Sequence, residues 1–245
     1  MNEKNYDWTI FQRELEKLKI SLTEKQICQF RDYYELLLEW NSFMNLTAVT
    51  EFQDVVVKHF LDSLTLVKAA DREKLKRGIS LIDVGTGAGF PGIPLKIAFP
   101  GLKVCLLDSL NKRIRFLNEV IEKLGLSGIR AVHGRAEDFG KNREYREVFD
   151  LCVSRAVANL SSLSEYCLPF VKVGGMFVSY KSGKVQEEAS AAERAVKLLG
   201  GKMENICCFE LAQTDMGRSL VCIRKIQKTP DRYPRKAGVP GKEPL

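Results

Sequence analysis

The run Asp83-Val-Gly85-Thr-Gly87-Ala-Gly89-Phe-Pro-Gly92 carries the residues best spaced for chemistry. It closes a short apolar stretch, 79–84, so the glycines fall at the end of a strand. Glycines in such a turn let the backbone come close to a ligand. Two templates overlap here. Gly87-Ala-Gly89-Phe-Pro-Gly92 fits G-x-G-x-x-G, the dinucleotide fingerprint. Asp83-x-Gly85-x-Gly87-x-Gly89 fits an acid followed by three alternate glycines. Charge separates the two. A pyrophosphate wants amide N–H groups and no anion nearby. A carboxylate at Asp83 suits a ligand that carries ammonium and sulfonium charges, and S-adenosylmethionine carries both. That cofactor is therefore expected, with Asp83, Gly85, Gly87 and Gly89 around it.

Three more residues join this set by position. Asp108 follows a second strand, 104–107, where a carboxylate can accept from a ribose diol; this serves NAD equally well. Glu137 lies in Arg135-Ala136-Glu137-Asp138, the loop after a third strand at 129–133, where an acid meets the adenine edge in this type of fold. Arg155 ends a fourth strand, 149–153, in Ser154-Arg155-Ala156-Val157. Strand C-termini in doubly wound sheets face the ligand crevice. A guanidinium there can contact substrate phosphate, stack on a base, or order the cofactor pocket. No further residue stands out as catalytic. No metal centre is expected, because the seven cysteines contain no C-x-x-C pair and only two histidines are present.

The methyl acceptor is read from what the chain lacks. Enzymes that methylate exocyclic amino groups of bases carry Asn/Asp-Pro-Pro-Tyr after the fourth strand, and this chain has no Pro-Pro. Enzymes that methylate pyrimidine carbon use a cysteine after proline, and no Pro-Cys occurs. An acceptor that is already nucleophilic remains, and guanine N7 fits. Catalysis would then rest on positioning and electrostatics. On these residues alone, a dinucleotide oxidoreductase, a small-molecule methyltransferase and a non-catalytic RNA-binding module all stay open.

The elements that must position these residues follow from periodicity. Residues 1–75 read as helices. Ser21-Leu-Thr-Glu24 has the spacing of a capping box, with Ser21 as cap. Ile27, Phe30, Tyr34, Leu37 and Leu38 repeat at helical spacing behind it, and Val56, Phe60, Leu64 and Val67 form a second stripe. On that stripe His59 and Asp62 either line the substrate side or serve helix packing. From 79 onward strands alternate with helices, at 91–99, 111–124, 160–171 and 187–199. The fold class is therefore α/β, a doubly wound, mostly parallel sheet covered on both faces. The last strands, 207–211 and 219–226, have no helix between them and predict an antiparallel finish. The expected division is an N-terminal helical extension (1–75), the main domain (76–228) and a basic tail (229–245).

Composition narrows the partners. The formal net charge is +7. Between Arg224 and the C-terminus seven Lys/Arg stand against two acids, a local excess that attracts polyanions, nucleic acid first. No apolar run of about 18 residues occurs, so no membrane span is expected. With no signal-like N-terminal stretch, the expected compartment is the cytosol.

Longer motifs then occur in a fixed order: Trp40-Asn-Ser-Phe-Met-Asn45-Leu-Thr47, His59-Phe-Leu-Asp62-Ser-Leu64, Asp83 through Pro94, Asp108-Ser-Leu-Asn-Lys-Arg113, Ser154-Arg-Ala-Val157 and Tyr233-Pro-Arg-Lys-Ala-Gly238-Val-Pro240. Together they closely resemble the ribosomal RNA small-subunit methyltransferase G family, over roughly residues 33–245. The resemblance implies a seven-stranded, Rossmann-like class I methyltransferase sheet. It implies methyl transfer from S-adenosylmethionine to N7 of a guanine in the 530 loop of bacterial 16S rRNA, on the RNA or the small ribosomal subunit. By motif match it puts cofactor contacts on Gly85, Phe90, Ala136, Glu137 and Arg155. Lys112, Arg113, Arg115, Arg235 and Lys236 are then the expected contacts to RNA phosphates, and a monomer is the expected working unit.

Overall fold

The computed structural model describes residues 6–155, 158–183 and 185–245. Helix α1 (Thr9–Lys17) turns Phe11 and Leu15 inward. Helix α2 (Glu24–Met44) begins with a capping box, but at Thr23 and Gln26 rather than at Ser21 and Glu24. The reason is a second bond. Gln26 Oε1 accepts from the Thr23 N–H, while its Nε2 donates to the Ile97 carbonyl at 2.6 Å. An amide accepts and donates at once; a carboxylate at Glu24 only accepts. The next rod starts as α3 (Phe52–Val55), widens into a π-turn over Val56–Leu61, and continues as α4 (Asp62–Leu64) and a 3-10 turn (Thr65–Lys68). The predicted stripe Val56, Phe60, Leu64 and Val67 is buried throughout. A short helix, α5 (Arg72–Arg77), is capped by the Asp71 carboxylate and leads to the sheet.

The sheet alternates as expected: β1 (Ser80–Val84), α6 (Gly92–Ala98), β2 (Lys103–Asp108), α7 (Asn111–Lys123), β3 (Ile129–His133), α8 (Ala136–Phe139), β4 (Phe149–Ser154), α9 (Leu160–Cys167), β5 (Val171–Ser182), α10 (Gln186–Leu198), β6 (Gly201–Glu210) and β7 (Gly217–Lys225). The predicted helix over 160–171 stops at Cys167. A 3-10 turn containing Pro169 follows, and β5 starts at Val171, where the helix was expected to end. Strand order is β3-β2-β1-β4-β5-β7-β6. The first five strands run parallel, and β7 pairs antiparallel with both β5 and β6, the predicted finish.

Each face of the sheet has its own core. Leu81, Leu106, Val153 and Val178 pack with the N-terminal helices, α6 and α7. Ile82, Cys105, Cys152 and Phe177 pack with α9 and α10. Parallel strands buried on both sides read as continuous apolar runs, as Val104 to Leu107 of β2 do. A chain of rings runs through the first core. Centroids lie 5.0 Å apart for Phe11–Phe30, 5.0 Å for Phe30–Phe60, 5.5 Å for Phe60–Tyr33 and 5.4 Å for Tyr33–Phe90. These rings dock the helical extension directly onto the glycine-rich loop. The tail 229–245 is irregular apart from α11 (Val239–Lys242), but it packs on the domain, with Thr229 and Tyr233 buried.

Replacing Thr23 by Ala removes the cap on α2 and should lower unfolding free energy by about 1 kcal/mol, a typical cap loss. Urea denaturation of the two proteins side by side checks this.

Candidate functional site

A cavity of about 650 Å³ opens beyond the C-terminal ends of β1 to β4. Gly85 and Gly87 line it from the first loop, Asp108 from the second, Ala136 and Glu137 from the third, and Arg155 from the fourth. Phe90 closes one side. The structure thus brings seven of the nine sequence-predicted cofactor residues to one wall; Asp83 and Gly89 stand behind it.

Strand alternation explains that difference. Leu81 and Asp83 point to the face that α6 covers, while Ile82 and Val84 point to the other. The Asp83 side chain has no exposed surface. Its Oδ2 accepts from Thr86 Oγ1 at 2.7 Å and from the Gly92 N–H at 2.8 Å, and its Oδ1 has no partner. Asp83 therefore braces the turn instead of lining the pocket. Burial pushes its carboxyl up to about 7, against the pull of the two donors and of Arg155. Gly92 must be glycine for the same reason: a Cβ there would sit 2.3 Å from Leu106 Cδ2 and 2.9 Å from the Asp83 carboxylate.

The turn itself is left-handed at Gly85 (φ 72°), Gly87 (φ 63°) and Gly89 (φ 98°). A Cβ on Gly89 would strike Ile93 and the Tyr33 hydroxyl, so Gly89 serves packing. A Cβ on Gly87 would meet no protein atom within 4 Å, because that position faces the open cavity. Asp108 fixes the turn from the other side. It accepts from the Gly87 N–H at 2.9 Å, from the Leu110 N–H at 3.0 Å and from Arg113 at 3.1 Å. The same Arg113 nitrogen also reaches Oδ1 at 3.4 Å, so a ligand hydroxyl approaching this carboxylate would compete with that one long contact. In the third loop, Glu137 Oε1 accepts from the Gly238 N–H at 2.8 Å, and among the described residues no donor meets the other oxygen.

Arg155 sits at a junction. It donates to Asp62 Oδ2 at 2.8 Å and to the Lys58 carbonyl at 3.0 Å, and its guanidinium lies 5.2 Å from the Phe90 ring centroid. Asp62 is buried, and its other oxygen accepts from Arg218 Nε at 3.1 Å. His59 stacks on Phe90 with centroids 4.5 Å apart. His59 Nδ1 lies 3.1 Å from the Lys58 carbonyl and 3.3 Å from the Arg155 guanidinium, and Nε2 lies 2.9 Å from Thr47 Oγ1. Burial, then Arg155, pushes the imidazole down to about 4, so it is neutral at pH 7. The π-turn carries Lys58 and His59 toward β4 and leads directly into Asp62 at the start of α4. A second cavity, of about 740 Å³, lies against Asp62, Lys181 and Arg218, and His59, Arg155 and Ala158 line both cavities. Ala156 and Val157 of the predicted loop lie outside the described residues.

The expected phosphate contacts divide. Lys112, Arg115 and Lys236 are exposed. Arg113 pairs with Asp108, and Arg235 with the fully buried Glu165 at 2.7 Å. Sequence reasoning missed Arg218, which has no motif around it, and Glu165. The latter left one signal, since it is the only charged residue in the otherwise apolar and small-residue helix α9. Among the described residues no cluster of metal-ligating side chains occurs, and no helix is long and apolar enough to cross a membrane.

The strand order with its reversed β7, and a ligand-sized cavity at the glycine turn, define the class I S-adenosylmethionine-dependent methyltransferase fold. The solved structure of M. jannaschii TYW2 in complex with AdoMet shares that fold, with TM-score 0.50 and 14% identity over 63% of this chain and 74% of that one. At the level of sequence, the family model for GidB, rRNA small subunit methyltransferase G, matches residues 26–217. A protein of Lachnoclostridium phytofermentans named Ribosomal RNA small subunit methyltransferase G is 56% identical over 98% of both chains. Another so named, from Clostridium novyi, is 46% identical over the whole of both. This chain belongs to the rRNA small subunit methyltransferase G family.

The buried Asp83 carboxyl makes a pH prediction. Its folded value, about 7, lies above its ordinary value of 3.8. The folded state keeps the proton across that window while the unfolded chain releases it. The stability it contributes is complete below the lower value and is lost as pH rises through the upper one. Unfolding free energy should therefore drop more between pH 4 and pH 8 in the wild type than in Asp83→Asn. Equal drops, measured by denaturant titration at both pH values, would assign the effect elsewhere.

Proposed function

We propose that this protein transfers a methyl group from S-adenosylmethionine to N7 of one guanine in the 530 loop of 16S rRNA. The first cavity suits that cofactor. Its floor is a left-handed glycine turn with open space over Gly87, and the carboxylates of Asp108 and Glu137 line it where ribose and adenine donors would be met. Gly87 and Phe90 would hold the cofactor, one leaving room for it and the other giving an apolar flank, while Asp83 holds the turn from behind. When bound, the cofactor supplies an electrophilic methyl group on a sulfonium.

The observation that carries the choice of acceptor is the shared wall between the two cavities. Its groups are unsuited to removing a proton at neutral pH. His59 is depressed to about 4, Arg155 is a donor only, and Asp62, beside them in the second cavity, has each oxygen bonded to an arginine. A ring nitrogen with a free lone pair needs no base, whereas an exocyclic amine or a hydroxyl does. Here Arg155 and the His59–Phe90 stack can orient a base by stacking, and the lining of the second cavity, where four cations outnumber the acids Asp62 and Glu188, keeps a net positive charge toward a nucleic-acid backbone. Lys112, Arg115 and Lys236 extend the positive surface and are the proposed phosphate contacts; Arg113 and Arg235 serve their carboxylate partners. The family's name supports an rRNA of the small subunit as substrate.

The test is methyl transfer onto small-subunit RNA and onto assembled small subunits, both from cells lacking the enzyme. Borohydride and aniline then cleave the chain at N7-methylguanine, and one cut in the 530 loop is expected. Label incorporated without a cut would place the methyl on another atom. Gly87→Val, whose side chain would enter the cofactor volume, should lose label in the same assay.

Lys112→Glu with Arg115→Glu should weaken RNA binding and flatten its salt dependence, by about 1 in the log–log slope for each phosphate no longer neutralised. Cofactor affinity should stay unchanged. A slope equal to the wild type's would remove both residues from the RNA surface.

A further inference from the structure

The C-terminal tail reaches the cofactor cavity, although it lies beyond the segment that the family model matches. Three anchors fix its course. At its start, Arg146 donates to the Thr229 carbonyl at 2.6 Å and to the Tyr233 carbonyl at 2.9 Å. In the middle, the Arg235 side chain and backbone N–H together make four bonds to the Glu165 carboxylate, between 2.7 and 3.1 Å. At its end, the Pro240 carbonyl accepts from Ser162 Oγ at 2.6 Å. Between the last two anchors Gly238, at φ 82°, lines the cavity and donates its N–H to Glu137. Glu165 and Ser162 both belong to α9, so one helix holds the tail on either side of Gly238.

We propose that residues 233–240 form a positioning strap for the cofactor, in which the Glu165–Arg235 pair holds Gly238 so that its N–H orients the Glu137 carboxylate toward the adenine end of the cavity. This rests on the reading of the cavity as the S-adenosylmethionine site. The pair is built for the purpose. Glu165 is fully buried, so its charge needs the guanidinium. Arg235 cannot shift without leaving that charge unpaired, which makes the strap's position all-or-none. Glu137 then has one oxygen engaged by the strap and one presented to the ligand. A basic residue in a basic tail would ordinarily be assigned to RNA phosphate; four bonds to a buried carboxylate assign this one to the protein's own architecture.

The test is calorimetric titration of S-adenosylhomocysteine, the demethylated cofactor, into the full-length protein and its Arg235→Ala, Arg235→Lys, Glu137→Ala and Arg235→Ala/Glu137→Ala forms. Arg235→Ala should bind roughly fivefold or more weakly, the low end of couplings between linked sites. Arg235→Lys should recover part of the loss. The double variant should be no weaker than Glu137→Ala alone, since both changes act through one carboxylate. In turnover, the KM for S-adenosylmethionine should rise with kcat preserved at saturation. Wild-type affinity in Arg235→Ala, alongside a loss in Glu137→Ala, would overturn the strap and leave the cavity reading intact. No binding by the wild type would overturn the cavity reading and the strap with it. Amide exchange on the wild type covers the case in which Arg235→Ala fails to fold. Residues 233–240 should gain protection when S-adenosylhomocysteine binds, and unchanged exchange there would also overturn the strap.

Discussion

A carboxylate with no access to water sits behind the glycine turn, and most of the site depends on it. Asp83 joins three pieces of chain through one oxygen: its own strand, the turn at Thr86 and the first helical N–H at Gly92. Burying such a group is costly unless it is hydrogen-bonded. Its carboxyl responds by rising to about 7, and it keeps one oxygen without a partner. The bonds it does make are local and short, so the turn has little freedom to open. With the turn fixed, the Gly87 N–H points to Asp108, and Asp108 in turn aligns the second loop and Arg113. Two carboxylates on opposite sides of one turn thus set the floor of the cavity before any ligand arrives.

A second buried acid organises the other half of the site. Asp62 accepts from Arg155 and Arg218, which come from the end of β4 and from β7. Neither arginine is satisfied by Asp62 alone. Arg155 leans on the Phe90 ring, donates to the Lys58 carbonyl and lies 3.3 Å from His59 Nδ1, so the strand end, the glycine loop and the N-terminal helices meet at one guanidinium. The helical extension is therefore part of the site. Its aromatic chain supports Phe90 from beneath, and its π-turn leads into Asp62 and supplies His59.

The sheet was legible in the sequence because parallel strands buried on both faces leave unbroken apolar runs, and because turn glycines mark their ends. Residues at strand C-termini, such as Asp108 and Arg155, could be placed in the crevice by topology alone. Asp83 could be recognised but not aimed. Its side follows from which face α6 covers, a property of packing and not of spacing. The cap of α2 was misplaced for a similar reason. Ser21 and Thr23 each have an acid or amide three residues on, and the choice fell to Gln26 because a distant carbonyl, that of Ile97, needed its donor. Arg218 carried no local pattern, and its function exists only through Asp62, 156 positions earlier.

The basic tail shows how composition misleads when burial is unknown. Charge counting treats each Lys and Arg as free to meet a polyanion. Arg235 is a quarter exposed by its side chain, yet its donors are directed at Glu165, which is wholly enclosed. Lys236, one residue on, is exposed. Adjacent residues of one charge therefore do opposite work, one holding the chain to itself and the other facing solvent. The sequence signal that could have separated them lay in α9, where a single acid stands among Leu, Ser, Tyr and Cys. An ionised group in such a helix calls for a cation from elsewhere in the chain, and Arg235 of the tail supplies it. A buried acid claims its base before any polyanion can, and only the bases left over are free to bind one.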